Sequence, residues 1–300
     1  MRMSERKRTG VDYMSFIVFT DGSANLPGSL LEGIIVLPST YTVNGEPVTY
    51  KGDIENFDMH AYYDGLRAGN EVKTSLLNTE LFLTAFEPFL KEGNDIVYVA
   101  MSSGISGTYN AARIAAEQLM EQYPERNVHI VDSHGCGFGS GMLAVRAAEL
   151  SRQGIPSEEA FRQLDDLVEH CCQYFTVDDL NFLKRTGRVS GATAMIGTVL
   201  SIKPILYGDS SGHIVSCRKC HGRKNAIRAL ADKYREKRID GPEQRVYISN
   251  GDCPEDAEEL RNMILEITPD VPVLICPHEP FSGSHVGPGM LGLFFFGKER

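Results

Sequence analysis

Apolar residues in this 300-residue chain cluster in short runs, separated by stretches whose apolar positions recur with helical spacing. Phe16-Ile17-Val18-Phe19-Thr20 reads as a strand stopped by Asp21-Gly22-Ser23, and Gly33 to Pro38 as a second. Asn44-Gly45, between Tyr41-Thr42-Val43 and Val48-Thr49-Tyr50, predicts a hairpin. A helix is expected from Asn56 to Arg67. Lys73-Thr74-Ser75 reads as a loop feeding a helix from Thr79 to Leu90, with Thr79 as its cap. Asp95-Ile96-Val97-Tyr98-Val99-Ala100 is a buried-strand pattern, and Tyr109, Ala112, Ala116, Leu119 and Tyr123 mark the helix after it. Val128 to Asp132 predicts another strand and Gly141 to Gln153 another helix. Strands alternating with helices imply parallel βαβ units in a doubly wound sheet, whose ligands bind beyond the carboxyl ends of the strands.

The order changes after Gly154-Ile155-Pro156-Ser157, which reads as a boundary. A helix from Ser157 to Cys171 and a strand from Tyr174 to Val177 are expected. Further strands are expected at Ile202–Leu206, His213–Ser216, Arg245–Asn250 and Val271–Cys276, with helices at 222–237 and 254–266. Gly208 to Gly212 reads as a hairpin loop. The expected organisation is a disordered basic leader over 1–15, an α/β domain over 16–155, and a mixed-sheet α+β domain over 156–300. The fold class is therefore α/β, with two domains.

Composition narrows the function. A hydrophobic fraction of 42% supports a sizeable core, and a net charge of −10 argues against nucleic acid as a partner. No apolar run approaches a membrane span, so stable membrane insertion is not expected. The apolar stretch after the basic leader is too short for a signal-peptide core, which points to a cytoplasmic protein. Seven scattered cysteines in such a protein read as reduced thiols.

The chemistry concentrates where the strand at 95–100 hands over to its helix. Ser102-Ser103-Gly104-Ile105-Ser106-Gly107-Thr108 sets hydroxyls beside free backbone N–H groups and the positive end of a helix dipole, a place suited to an anion. Ser106 also suits a plain helix cap. A serine-dependent hydrolase or acyltransferase is the rival reading, with Ser103 or Ser106 activated by His285 on an acyl substrate, although no G-x-S-x-G elbow surrounds these serines. Gly135 to Gly141 resembles a dinucleotide turn, but the G-x-G-x-x-G register fails, and close packing of a helix on the sheet is the alternative. Cys217-Arg218-Lys219-Cys220-His221 has the C-x-x-C-H spacing of haem attachment without export or further zinc ligands. Lys184-Arg185-Thr186-Gly187-Arg188 is either a solvated loop or a cationic clamp for a carboxylate or phosphate. Gly283 to Gly292 is a glycine-rich loop with one histidine, His285, beside backbone able to approach a ligand closely. No metal or cofactor is expected.

Taken together the motifs resemble one family. Thr20-Asp21-Gly22-Ser23 through Pro27, Lys73-Thr74-Ser75, Ser102 to Tyr109, Val177 to Ser190, Gly197 to Leu206 and Gly283 to Gly292 occur in the order seen in the DegV proteins, the fatty-acid-binding subunits of bacterial fatty acid kinases. The resemblance implies two α/β domains with a long-chain fatty acid between and within them. It implies that Thr74, Ser106 and His285 bind the carboxylate, with Ser102, Ser103, Gly107 and Arg188 in the head-group vicinity. It implies a carrier without catalytic residues, which presents the carboxylate to an ATP-dependent kinase subunit that makes an acyl phosphate for phospholipid synthesis. The chain departs from the family's common Thr-Ser-Gln-Pro, having Thr74-Ser75-Leu76-Leu77, and places His221 where relatives carry an arginine.

Overall fold

The computed structural model describes residues 14–189, 202–241 and 244–300. In chain order its strands are β1 (Ile17–Asp21), β2 (Ile34–Leu37), β3 (Ser39–Val43), β4 (Glu46–Tyr50), β5 (Val72–Thr74), β6 (Ile96–Ala100), β7 (Val128–Asp132), β8 (Cys171–Thr176), β9 (Ile202–Gly208), β10 (Ile214–His221), β11 (Val246–Asn250), β12 (Val273–Pro277) and β13 (Leu291–Phe296). Its helices are α1 (Met59–Arg67), α2 (Thr79–Lys91), α3 (Thr108–Gln122), α4 (Phe138–Arg152), α5 (Ser157–Val168), α6 (Asn181–Thr186), α7 (Arg223–Lys237), α8 (Pro254–Ile267) and α9 (Pro280–Val286).

The first sheet runs β2-β1-β6-β7 with every pairing parallel. Successive side chains of β6 point to opposite faces. Val97 and Val99 pack with Phe16, Val18 and the apolar faces of α4 and α5, while Ile96, Tyr98 and Ala100 pack with α2 and α3. Helices on both faces bury the strand completely, which is why it reads as an unbroken apolar run. The second sheet runs β10-β9-β8-β13-β11-β12, antiparallel except for β11 and β12. Helices α7 and α8 cover one of its faces.

Helix α4 lies between the two sheets and is buried nearly all round. Phe138 sits 4.9 Å from Tyr247 and 5.9 Å from Phe294, ring centre to ring centre, while Leu143 and Ala147 share the core of β1 and β6. A Cβ on Gly141 would stand 2.3 Å from the Ala24 carbonyl oxygen. The glycine run at 135–141 therefore serves close helix packing. Helix α5 also belongs to the first sheet's layer, through Ala160, Leu164 and Val168. The chain crosses to the second sheet between Val168 and Cys171, later than the turn at 154–157.

Several sequence expectations need correction. Lys73 and Thr74 lie in strand β5, not a loop, because Val72 to Thr74 pair antiparallel with β3 and complete the sheet β4-β3-β5. Asn78, not Thr79, caps α2, its Oδ1 accepting from Leu81 N at 3.0 Å. The expected helix from Asn56 starts at Met59, with Asp58 as the cap. The helix from Ser157 stops at Val168 because Cys171 and Cys172 already pair with β13. Ser15, assigned to the leader, is tied down, its hydroxyl donating to Ile155 O at 2.5 Å. Residues 1–13 of the leader, Ser190 and Gly197 to Ser201 lie outside the described residues. No helix among the described residues is long and apolar enough to cross a membrane.

Candidate functional site

The carboxyl ends of the first sheet's strands face the second sheet across an internal cavity of about 270 Å³. From the first layer it takes residues of the turns after β6 and β7; from the second, residues of β8, β13 and the β9–β10 hairpin; β5 with the loop after it, α6 and α9 line it as well. Phe175, Leu183, Met290 and Phe294 give it apolar walls. Thr74, Ser106, Gly107, Arg188 and His285 all line it.

The three serines of the turn after β6 do different work. Ser102 is fully buried; its hydroxyl donates to Gly212 O at 2.9 Å and accepts from Gly104 N at 3.0 Å. It ties the turn to the β9–β10 hairpin and does not line the cavity. Ser103 is exposed, also outside the lining, and its backbone N–H donates to Asp132 Oδ1. Neither Ser102 nor Ser103 lines the cavity itself: one hydroxyl is spent on a carbonyl and the other residue is exposed. Ser106 does reach the cavity. Its Oγ accepts from Thr108 N at 3.2 Å and lies 3.0 Å from Thr108 Oγ1, so it holds the first turn of α3 while lining the site.

His285 comes from α9, whose entry is pinned by three side chains, two of them on α1. Asn25 donates to Pro277 O and accepts from Glu279 N, Tyr63 donates to His278 O, and Tyr62 donates to Pro280 O. His285 Nε2 lies 2.9 Å from Thr74 Oγ1, and its Nδ1 is buried with no partner among the described residues. Burial lowers its pKa to about 4, with the Arg188 cation pushing the same way. The imidazole is therefore neutral, with one N–H to donate and one lone pair to accept. Arg188 is exposed and follows α6, whose end turns through Gly187 in the left-handed conformation. The basic run thus forms a helix end with one arginine at the cavity rim. In the glycine loop after α9, backbone is approached by protein: a Cβ on Gly287 would stand 2.5 Å from the Phe182 ring.

The rival nucleophile arrangement is not formed. His285 meets Thr74, Ser106 meets Thr108, and neither Ser103 nor Ser106 hydrogen-bonds a histidine among the described residues. Cys217 is exposed and Cys220 buried on β10. Neither belongs to a group of three metal-capable side chains among the described residues; the group found is His60, Asp64 and Asp252, where Arg67 already bridges both carboxylates.

Sequence reading missed a second polar set on the cavity wall. His278 and Ser282 line it, and His278 Nε2 lies 2.9 Å from Ser282 Oγ. His278 Nδ1 meets Ser249 Oγ at 3.1 Å, and burial lowers its pKa to about 3. Behind them Glu279 is fully buried and caps α9, accepting from Phe281 N, Ser282 N and the Ser282 hydroxyl. Burial pushes its pKa up to about 8 against the pull of those donors, with the nearby Asp21 adding to the rise. The visible sequence signal was Glu279-Pro280 with Ser282 at the third helical position, a helix-start pattern.

The fold and cavity define a class: an α/β protein whose two main sheets flank a largely apolar cavity lined by hydroxyls and a neutral imidazole. The sequence pattern described as "Uncharacterised protein, DegV family" matches residues 15–298. A DegV domain-containing protein of Clostridium perfringens is 39% identical over 290 residues, covering 95% of this chain and 98% of its own. A fatty acid binding DegV family protein from Streptococcus agalactiae superposes with a TM-score of 0.84 at 27% identity, over 95% of this chain and all of that one. DegV from Bacillus subtilis, described as a fatty acid binding protein, gives a TM-score of 0.80 at 27% identity over the same shares. The chain belongs to the DegV family.

Proposed function

We propose that this protein binds a long-chain fatty acid, with its carboxylate among Thr74, Ser106 and His285 and its acyl chain in the apolar cavity. The observation that carries this reading is the convergence of those three side chains on one cavity whose remaining walls are largely apolar. Burying methylenes stabilises by about 0.8 kcal/mol each, so some ten of them supply about 8 kcal/mol. A bare carboxylate does not enter such a site; hydroxyl and imidazole N–H donors compensate its lost water. Arg188, half a turn of chain from α6 at the rim, adds positive potential without a buried ion pair. Relatives from Streptococcus agalactiae and Bacillus subtilis whose names record fatty acid binding support the assignment.

In this reading the protein is a non-catalytic cytoplasmic carrier. It presents the carboxylate to a separate ATP-dependent kinase subunit, which transfers a phosphoryl group to a carboxylate oxygen and yields an acyl phosphate. The position of Leu76, 53% exposed beside the Gly107 end of the cavity, suits a rim that a partner covers. Mass spectrometry of an organic extract of the purified protein tests the first part: a stoichiometric fatty acid is expected. No extracted lipid together with no calorimetric binding of added stearate to the protein would overturn it. Mixing loaded protein with a fatty acid kinase subunit and labelled ATP tests the second, by the appearance of acyl phosphate.

A further inference from the structure

We propose that the cavity holds a second polar subsite, centred on the Ser282 hydroxyl, that selects an acyl chain carrying a hydroxyl group on its hydrocarbon portion. This rests on the fatty-acid reading above and adds the class of chain. Ser282 and His285 are three residues apart on α9 and line the same cavity, so the subsite lies roughly 4.5 Å along the helix axis from the carboxylate cluster.

The hydrogen-bond chain fixes what Ser282 has left to offer. Ser249 Oγ meets His278 Nδ1, His278 Nε2 meets Ser282 Oγ, and Ser282 Oγ meets Glu279 Oε1. A serine hydroxyl has one hydrogen and two lone pairs. If Glu279 is ionised, Ser282 donates to it and accepts from His278 Nε2–H. If Glu279 is protonated, its O–H donates to Ser282, which donates to His278 Nε2. In both states the hydroxyl spends its hydrogen within the chain and keeps one lone pair. The group that completes it must donate a hydrogen bond.

The Cys136 thiol hydrogen-bonds this hydroxyl and lines the same cavity, but a thiol is a weak partner that a chain hydroxyl would displace. A plain methylene chain laid there excludes water and leaves the third hydrogen-bonding position of an atom that already has two partners to the thiol alone, so a stronger donor at that position adds one hydrogen bond. A hydroxyl on the chain supplies the donor. A ketone supplies only lone pairs and meets the Ser282 oxygen with repulsion, so the subsite separates hydroxy acids from oxo acids of the same length.

The test is titration calorimetry on the delipidated full chain with stearate, the positional monohydroxystearates and the matching oxostearates. One hydroxy isomer is expected to bind about five- to tenfold tighter than stearate, the value of one added hydrogen bond. Its oxo counterpart is expected to bind no tighter than stearate, and Ser282→Ala to bring the hydroxy-to-stearate ratio near one. The proposal is overturned if stearate binds and no hydroxy isomer binds tighter, if the oxo acid matches the hydroxy acid, or if Ser282→Ala keeps the preference. Should that variant not fold, the hydroxy-to-oxo ratio in the unmodified protein decides alone. If stearate and every derivative fail to bind, the fatty-acid reading itself falls, and this subsite with it.

Discussion

Thr74 and His285, separated by 211 positions in the chain, meet with Oγ1 2.9 Å from Nε2 on the wall of the cavity. Strand β5 sets the threonine and helix α9 the histidine, so the contact joins the small antiparallel sheet to the second layer. Removing the hydroxyl leaves a buried imidazole nitrogen without its partner and, in the proposed binding mode, the carboxylate with one donor fewer. Thr74→Val, which keeps the shape, is expected to weaken stearate binding about tenfold, as measured by calorimetry. An unchanged affinity would place the carboxylate elsewhere.

Ser102 and Ser106 stand four residues apart in one turn yet are expected to fail differently. Ser102→Ala leaves the Gly212 carbonyl and the Gly104 N–H without their shared partner inside the protein. Thermal unfolding of that variant is expected to show a loss of about 1–3 kcal/mol. Ser106→Ala also removes an acceptor from the start of α3, but its larger effect is expected in fatty-acid affinity. A Ser102→Ala variant as stable as the unmodified protein would show that the tie between layers is not stabilising.

The division between these serines shows where sequence reading stops. The unbroken apolar run Ile96-Val97-Tyr98-Val99-Ala100 and the helical spacing after it made the first sheet and its helices readable, because such patterns are local properties. Which of three adjacent serines looks into a cavity depends on the β9–β10 hairpin, whose approach no local pattern encodes. Strand β5 was hidden for a similar reason: three residues become a strand only because β3 offers an edge. His278 and Ser282 stayed invisible as cavity residues, since their partners Ser249 and Glu279 come together through α9 and β11.

Gly141 permits α4 to lie between two sheets. Gly141→Ala puts a methyl group 2.3 Å from the Ala24 carbonyl oxygen, and backbone on both sides has little room to yield. The expected cost is about 1–3 kcal/mol, larger than the gain in helix propensity of about 1 kcal/mol, so the sign is destabilising. A thermal melt decides it, and a stabilised variant would mean that the helix shifts freely between its layers.

Glu279 gives stability a distinctive dependence on pH. Its pKa rises from 4.5 to about 8 on folding, chiefly through burial. The folded state therefore binds its proton more tightly than the unfolded chain does. The stability this contributes is complete below 4.5 and is lost as pH rises towards 8. His278 and His285 act in the opposite sense. Their pKa values fall to about 3 and about 4, so the stability from their neutral forms is present above the ordinary histidine value of 6.5 and is lost on acidification. Between 4.5 and 6.5 the two trends oppose each other; from 6.5 to 8 Glu279 acts alone. Glu279→Gln has no proton to lose and retains a carbonyl for the start of α9. The melting temperature of the variant minus that of the unmodified protein is expected to rise steadily from pH 5 to pH 8 and then level off, by at least about 4 °C in total. A difference that stays flat across this range would mean that the carboxyl is already ionised in the folded protein, with its charge met by the two backbone N–H groups and the Ser282 hydroxyl.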